Sequence, residues 1–397
     1  MRELIDVALR WIHVIAAIMW IGNSLLYNWL DRSLRPSDDP ENVQGDAWLL
    51  HSGGFYYVEK RLRLDALPKP LHWFKWQAYT TWLSGAALLV LVYWMGGRAM
   101  LLGPGATMTH GAAVATSAAI LIGCWLAYEA LWRSPLGNTP AAASALSFVL
   151  VAAVGVALTL VFNGRAAFLH LGAVMGTLMA ANVATSIMPA QRSLVRSVER
   201  GGQPDPRLSL AAKKRSVHNN YMTFPVVILM LSSHFPSLYG HPRNWLVAAV
   251  LVLGGAAVRH SLNVRFHQPR ARWLGALGLS VVGTLGALYA LTATAALGGR
   301  PAPVGGPGAA ADGPASFEDA RAVVRQRCTP CHSAAPAIRE FGTPPAGVAF
   351  DTDEQIRALA DRIRERAVAT ETMPPGNATH ITPAERAVLG AWAEGER

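Results

Sequence analysis

Eight long, almost uncharged apolar stretches dominate the chain, at roughly residues 4–30, 76–95, 111–132, 144–163, 166–189, 219–236, 244–261 and 273–297. A bilayer hydrocarbon core takes about 20 apolar residues of helix to cross. Inside it every backbone polar group must be satisfied internally, which leaves helices or closed barrels. Runs of this length exceed what a barrel strand needs. They predict an all-α fold for residues 1–297, an eight-span transmembrane helical bundle. Only 15% of residues are charged and the mean hydropathy is +0.25, where an ordinary soluble domain carries about 25% charge. This excludes a purely soluble globular protein and a disordered one. Pro225, inside the sixth span, predicts a kink.

Lysine and arginine divide the loops into two classes. Loop 31–75 holds seven (Arg32, Arg35, Lys60, Arg61, Arg63, Lys69, Lys75) and loop 190–218 another seven (Arg192, Arg196, Arg200, Arg207, Lys213, Lys214, Arg215). Arg265, Arg270, Arg272 and Arg133 bring that side to eighteen, against one each, Arg98, Arg165 and Arg243, in the intervening loops. Cytoplasmic loops carry the basic excess, so the eighteen are predicted to face the cytoplasm and both ends of the chain the outside. This describes a multi-pass protein of the bacterial inner (cell) membrane, in contact with membrane lipid, its C-terminal part in the periplasm. The same placement explains the net charge of +10 without a nucleic-acid partner. The first span carries Asp6 and Arg10, is too long for a signal-peptide core and lacks an A-x-A site, so it reads as a retained helix.

Spans one and five are alike: WIHVIAAIMWIGN places His13 near its start, FLHLGAVMGTLMAAN places His170 near its own, and Arg32 and Arg192 follow each span. One reading is a 4+4 repeat; the other is the ordinary likeness of two apolar helices.

The composition changes after Leu297. GGRPAPVGGPGAAADGPAS has no periodicity and is rich in Gly, Pro and Ala, so 298–315 is predicted to be a flexible linker. Residues 316–397 carry ten Arg, no Lys and twelve acidic residues. Ser316 with Asp319 predicts a capped helix over 317–327. That helix leads into Cys328-Thr329-Pro330-Cys331-His332, the C-x-x-C-H attachment signature of c-type haem. Two thiols a turn apart can each form a thioether with a haem vinyl group, and the adjoining His332 then faces the iron. A zinc site would need two further ligands, and no second cysteine pair exists. A thioredoxin-like site would need a βαβ context. Met373, in E-T-M-P-P-G, is the candidate second axial ligand, with His380 as its rival; His/Met ligation raises the haem potential. Thr382-Pro383-Ala384-Glu385 opens a final helix. Together these predict a small all-α class I cytochrome c domain with one covalent haem c.

Ionisable residues inside membrane spans are functional candidates by default. His13, His170 and His234 fall in the outer half, where two imidazoles from facing helices could ligate a b-type haem; helix-bonded or interfacial histidine is the alternative. His72, His218 and His260 fall toward the inner surface, and Glu129, Arg10 and Arg259 are further buried candidates.

The runs HSGGFYYVEKR (51–61), LHWFKWQAYTTWLSGAALL (71–89) and HNNYMTFPVVILMLSSHFP (218–236), followed by the cytochrome tail, resemble the bacterial membrane-bound urate oxidases, or urate hydroxylases. The resemblance covers essentially the whole chain. It implies an eight-span domain that oxidises urate to 5-hydroxyisourate, electrons passing through haem to the tethered cytochrome c and the respiratory chain, with a downstream cytochrome c or terminal oxidase as partner. The start of span one also looks like haem-binding four-helix membrane proteins of the HemJ and CopD type, where a histidine at the place of His13 serves haem. Urate is anionic and aromatic, and a cationic donor with stacking faces would suit it. Candidate substrate residues are Arg61, His72, His218 and Asn219; the residues themselves do not single out the base. A quinol-linked electron-transfer subunit and a transporter with a cytochrome appendage share the same composition.

The charge count makes one direct prediction. A reporter fused after Arg397 should be active only when it functions outside the cytoplasm; a fusion active only inside the cell reverses the orientation.

Overall fold

The computed structural model describes residues 2–39, 41–61, 64, 66–103, 106–202, 205–298, 315–337, 344, 348–377 and 379–396. The predicted linker, 298–315, lies almost wholly outside them. In chain order the helices of the first part are α1 (Arg2–Ser33), α2 (Lys75–Leu88), α3 (Arg98–Leu101), α4 (His110–Arg133), α5 (Pro140–Val161), α6 (Gly164–Asn182), α7 (Met188–Glu199), α8 (Pro206–Leu231), α9 (Pro236–Tyr239), α10 (Asn244–Val264) and α11 (Arg270–Gly298). A helix thus stands at each of the eight apolar stretches. Six are long and apolar enough to cross a membrane: α1, α4, α5, the continuous α6–α7 helix, α10 and α11. The other two differ for local reasons. α2 is α-helical for 14 residues before widening into a π-helical turn, Leu89–Trp94, and α8 opens on a basic run ending at Arg215.

Side-chain oxygens and prolines set the helix starts. Thr109 accepts from the Ala112 N–H, Asn163 from Ala166 and Asp205 from Arg207, and Pro140 and Pro206 occupy first turns where a missing N–H costs nothing. α8 continues through Pro225.

The hub is α6, packed by α4, α5 and α8. Of its most apolar stretch 72% is buried, against 6% for α1 and none for α11. The rim helices leave large apolar side chains exposed, such as Leu4, Trp11, Leu279 and Tyr289, as expected where lipid is the solvent. The two helices with repeat-like sequences therefore occupy unlike positions, α1 at the rim and α6 at the centre. Glycines allow the closest crossings. A Cβ on Gly254 would stand 2.3 Å from Thr284 Oγ1 of α11, and one on Gly255 would stand 2.9 Å from the Pro225 nitrogen of α8.

The expectation of an all-helical chain needs one correction. Val43–His51 (β1) and Gly54–Arg61 (β2) form an antiparallel hairpin. Ser52 (φ 51°) and Gly53 (φ 77°) make its two-residue turn, the positive-φ geometry that suits the twist of paired strands. Lys60 ties the hairpin to the end of α1 through Asp31 at 2.6 Å.

The tail has its own core, built from α12 (Phe317–Arg327), α13 (Asp353–Ala358), α14 (Ala360–Ile363) and α15 (Pro383–Gly395) around Val324, Ile356, Leu389 and Trp392. The predicted capping boxes at Ser316/Asp319 and Thr382/Glu385 are both formed.

Gly254→Ala should lower the thermal midpoint in detergent, at an overpacking cost of about 1–3 kcal/mol. Adding Thr284→Ala, which removes the two nearest atoms, should recover part of that loss. An unchanged midpoint in the single variant would show that α10 and α11 are not in close contact.

Candidate functional site

The C-x-x-C-H segment follows α12 directly. Cys328 N–H donates to Val324 O at 2.8 Å and His332 N–H to Cys328 O at 2.9 Å. This short turn brings both thiols and the imidazole to one cavity of about 780 Å³. His332 Nδ1–H donates to Val348 O at 2.9 Å, which fixes the tautomer and leaves Nε2 with a free lone pair. Met373 lines the same cavity. Its loop is held by its own N–H to Arg366 O and by the buried Arg386, which donates to Met373 O at 2.9 Å and to Ala367 O. The rival His380 is exposed and outside the lining. Burial pushes the Cys328 thiol up to about 12. Two thiols, one imidazole nitrogen and one thioether around an enclosed space fit a covalently held c-type haem.

The tail supplies only part of this cavity. Met100 and Gly103, Asn163 to Arg165, and Ser233, His234, Tyr239, Gly240 and Asn244 contribute the opposite wall. These come from the three loops that carry one basic residue each. α3 packs against the tail turn Pro375–Asn377.

At the other end of the bundle lies a buried polar network. Arg215 on α8 pairs with Glu129 on α4 at 2.9 Å, both side chains largely enclosed, and donates to Asn182 on α6 at 3.0 Å. Its guanidinium lies 5.0 Å from the rings of both Tyr128 and Trp132, close enough for cation–π attraction. Asn182 donates to Tyr128 Oη at 3.0 Å and to Asn219 Oδ1 at 2.8 Å. His218 stacks on Tyr128, with 5.5 Å between centroids and 8° between planes, and its Nδ1 is 2.7 Å from the Tyr128 hydroxyl. The adjoining residue turns the other way: Asn220 Oδ1 accepts from Arg259 Nε at 2.9 Å and from Asn263 at 2.8 Å. Asn28 on α1 donates to Asn263, and Arg32 to both. Arg259 is 3% exposed, and its Nη2 has no hydrogen-bond partner.

Of the sequence candidates, His218 and Asn219 enter this network. His72 and Arg61 are exposed and stand apart from it; Arg61 pairs with Glu59. His234 lines the cavity that Cys328, His332 and Met373 share. His13 and His170 do not fit a haem held between them. His170 is wholly buried between Tyr93 and Phe162. Its Nδ1–H donates to Ala166 O at 2.7 Å and its Nε2 accepts from Ser117 at 2.8 Å, so neither nitrogen is open. His13 faces α2, with Nδ1 on Thr81 O and Ser84, while His170 faces α4. Asn220, which the sequence groups with His218 and Asn219, enters it too, through Arg259 and Asn263; Tyr128, Trp132, Asn182 and Asn263 were not singled out in the sequence. The i, i+4 pair Glu129 and Arg133 (2.8 Å) was a local hint, but the partners of the others are remote along the chain.

The profile of one protein family, described as Urate oxidase N-terminal, matches residues 1–291. No curated protein matches, and no solved structure matches.

Removing one partner of a buried ion pair leaves the other charge uncompensated, at a cost of about 3–5 kcal/mol. Glu129→Gln should therefore lower the unfolding midpoint in detergent markedly. Combining it with Arg215→Met should cost less than the single change. Additive losses would argue against coupling between the two side chains.

Proposed function

This chain belongs to the urate oxidase N-terminal family, and on that premise we propose that it is a membrane-bound, cytochrome c-linked urate oxidase. Residues 1–297 form the membrane domain, with α2 and α8 completing eight spans. Residues 316–397 are a class I cytochrome c on the periplasmic side, reached through the linker 298–315. The observation that carries the redox half of this reading is the cavity joining C-x-x-C-H, His332 Nε2 and Met373 to the outer loops of the membrane domain.

The reaction balances as urate plus water giving 5-hydroxyisourate, two electrons and two protons. When bound, the haem supplies a one-electron acceptor between the membrane domain and a downstream cytochrome c or terminal oxidase. Cys328 and Cys331 would hold it, and His332 and Met373 would ligate its iron. The protein's own work is to bind and orient the anion. The inner network suits this: Arg215 and Arg259 provide cationic donors, and Trp132 and His218 provide ring faces. With the Tyr128 hydroxyl donating to Nδ1, His218 carries its proton on Nε2 and can donate it to the urate anion. Asn182 and Asn219 hold the Tyr128–His218 pair in place. His170 has no part in this reading, because both its nitrogens are hydrogen-bonded, and His13, bonded through Nδ1 alone, faces α2 rather than His170.

Purified full-length protein, mixed with urate without oxygen, should show reduction of its haem bands, two equivalents for each urate consumed. His218→Ala should raise the half-saturating urate concentration about 10- to 100-fold, as expected for one lost hydrogen bond to a charged group. Dithionite should still reduce the variant fully. Protein that dithionite reduces and urate does not would sink the assignment.

A further inference from the structure

Three features of the interdomain cavity point to an anionic occupant. Among the described residues its basic lining includes Arg165, Arg327, Arg362 and Arg366, against one carboxylate, that of Glu371. Arg327 is already committed to Glu385 at 2.8 Å and to Thr379 O, but Arg165 Nε and Arg366 Nε are buried with no hydrogen-bond partner. A buried guanidinium N–H left unpaired costs free energy that an absent acceptor would return. The two donors also belong to different parts of the chain. Arg165 is in the first turn of α6, and Arg366 is in a π-helical turn of the tail, Arg364–Ala369.

Arg165 is held in place from below. Asn163 N–H donates to Leu101 O at 2.8 Å, and its side chain accepts from Ala166 at the start of α6. Next to it, Gly164 sits so close to α9 that a Cβ would lie 1.9 Å from Tyr239 O. Arg366 in turn reaches the Tyr239 hydroxyl. The charge pattern of the outer loops sharpens the point. They carry only Arg98, Arg165 and Arg243, and Arg98 is bonded to the carbonyls of Met108 and Ala106.

We infer that the membrane domain completes the cytochrome site: Arg165 and Arg366 bind the propionate carboxylates of the tail's haem from the two sides of the cavity. This inference rests on the c-type haem reading above. It makes Arg165 a positioning residue that docks the tail and adjusts its redox potential. A cation beside the propionates favours the reduced haem, which bears one positive charge fewer. Removing it should therefore lower the midpoint potential.

The test is spectroelectrochemical titration of the full-length haem-loaded protein. Arg165→Gln should shift the oxidised/reduced ratio about tenfold toward the oxidised form at a fixed potential, about 59 mV for one electron. Arg366→Gln should shift it the same way. Arg165→Lys should restore most of the parent value, and Arg243→Gln, an outer arginine outside the cavity, should leave it unchanged. If Arg165→Gln is poorly folded, Arg366→Gln and Arg165→Lys decide the matter alone. A parent-like potential in Arg165→Gln and Arg366→Gln, with covalent haem retained in both, overturns the inference. So does an effect confined to the half-saturating urate concentration, which would make the substrate the anion in the cavity. Absence of covalent haem in the parent would instead strike the haem reading itself.

Discussion

A charge placed among apolar helices must find its partner within the protein, and this requirement organises one end of the bundle. Arg215 cannot stand on α8 without Glu129 from α4 and Asn182 from α6. Arg259 on α10 likewise engages Asn220, and Asn220 with Asn263 links α8 to α10 and, through Asn28, to α1. Successive residues of a helix point about 100° apart. The run His218-Asn219-Asn220 thus addresses three neighbours in turn: Tyr128 on α4, Asn182 on α6 and the α10 pair. A short polar run in one helix holds the others in register.

Much of this could be read from the amino acids alone, and what could not has a clear physical reason. Helix positions were legible because eight apolar runs of membrane length admit one kind of structure. Caps were legible because Ser316/Asp319 and Thr382/Glu385 act within three residues. The hairpin leaves a fainter trace, Ser52-Gly53 as turn chemistry between two aromatic-rich runs that are short beside the flanking spans. His13 meets α2 and His170 meets α4, because a helix's sequence does not say which neighbour its polar face meets. The network was hidden for the same reason: Arg215 and Glu129 are 86 residues apart, and Asn28 and Asn263 are 235 apart.

The two candidate sites are well separated. His218 and His234 are both in or just beyond α8, sixteen positions apart, which at 1.5 Å per residue is about 24 Å. The outer end of that interval is not plain hydrocarbon. Tyr93, His170 and Phe162 form a compact cluster with centroids 5.7 and 4.9 Å apart, and Phe162 immediately precedes the cavity-lining Asn163. The hydrogen-bond chain from Trp94 through Ser117 to His170 holds the cluster rigid.

The widened helical turns bear on how such a protein can change over time. Leu89–Trp94, Val183–Ile187 and Arg364–Ala369 are π-helical, each in effect an α-helix with one residue inserted. Tyr93 and Arg366 lie within such turns, and Asn182 immediately precedes the third. Deleting one residue would restore ordinary winding there and rotate everything downstream by about 100°. A relative shorter by a single amino acid at one of these places would keep its fold and its composition, yet turn a different row of side chains toward the same neighbour. Length, more than residue identity, is then the coarse dial of divergence at these three turns.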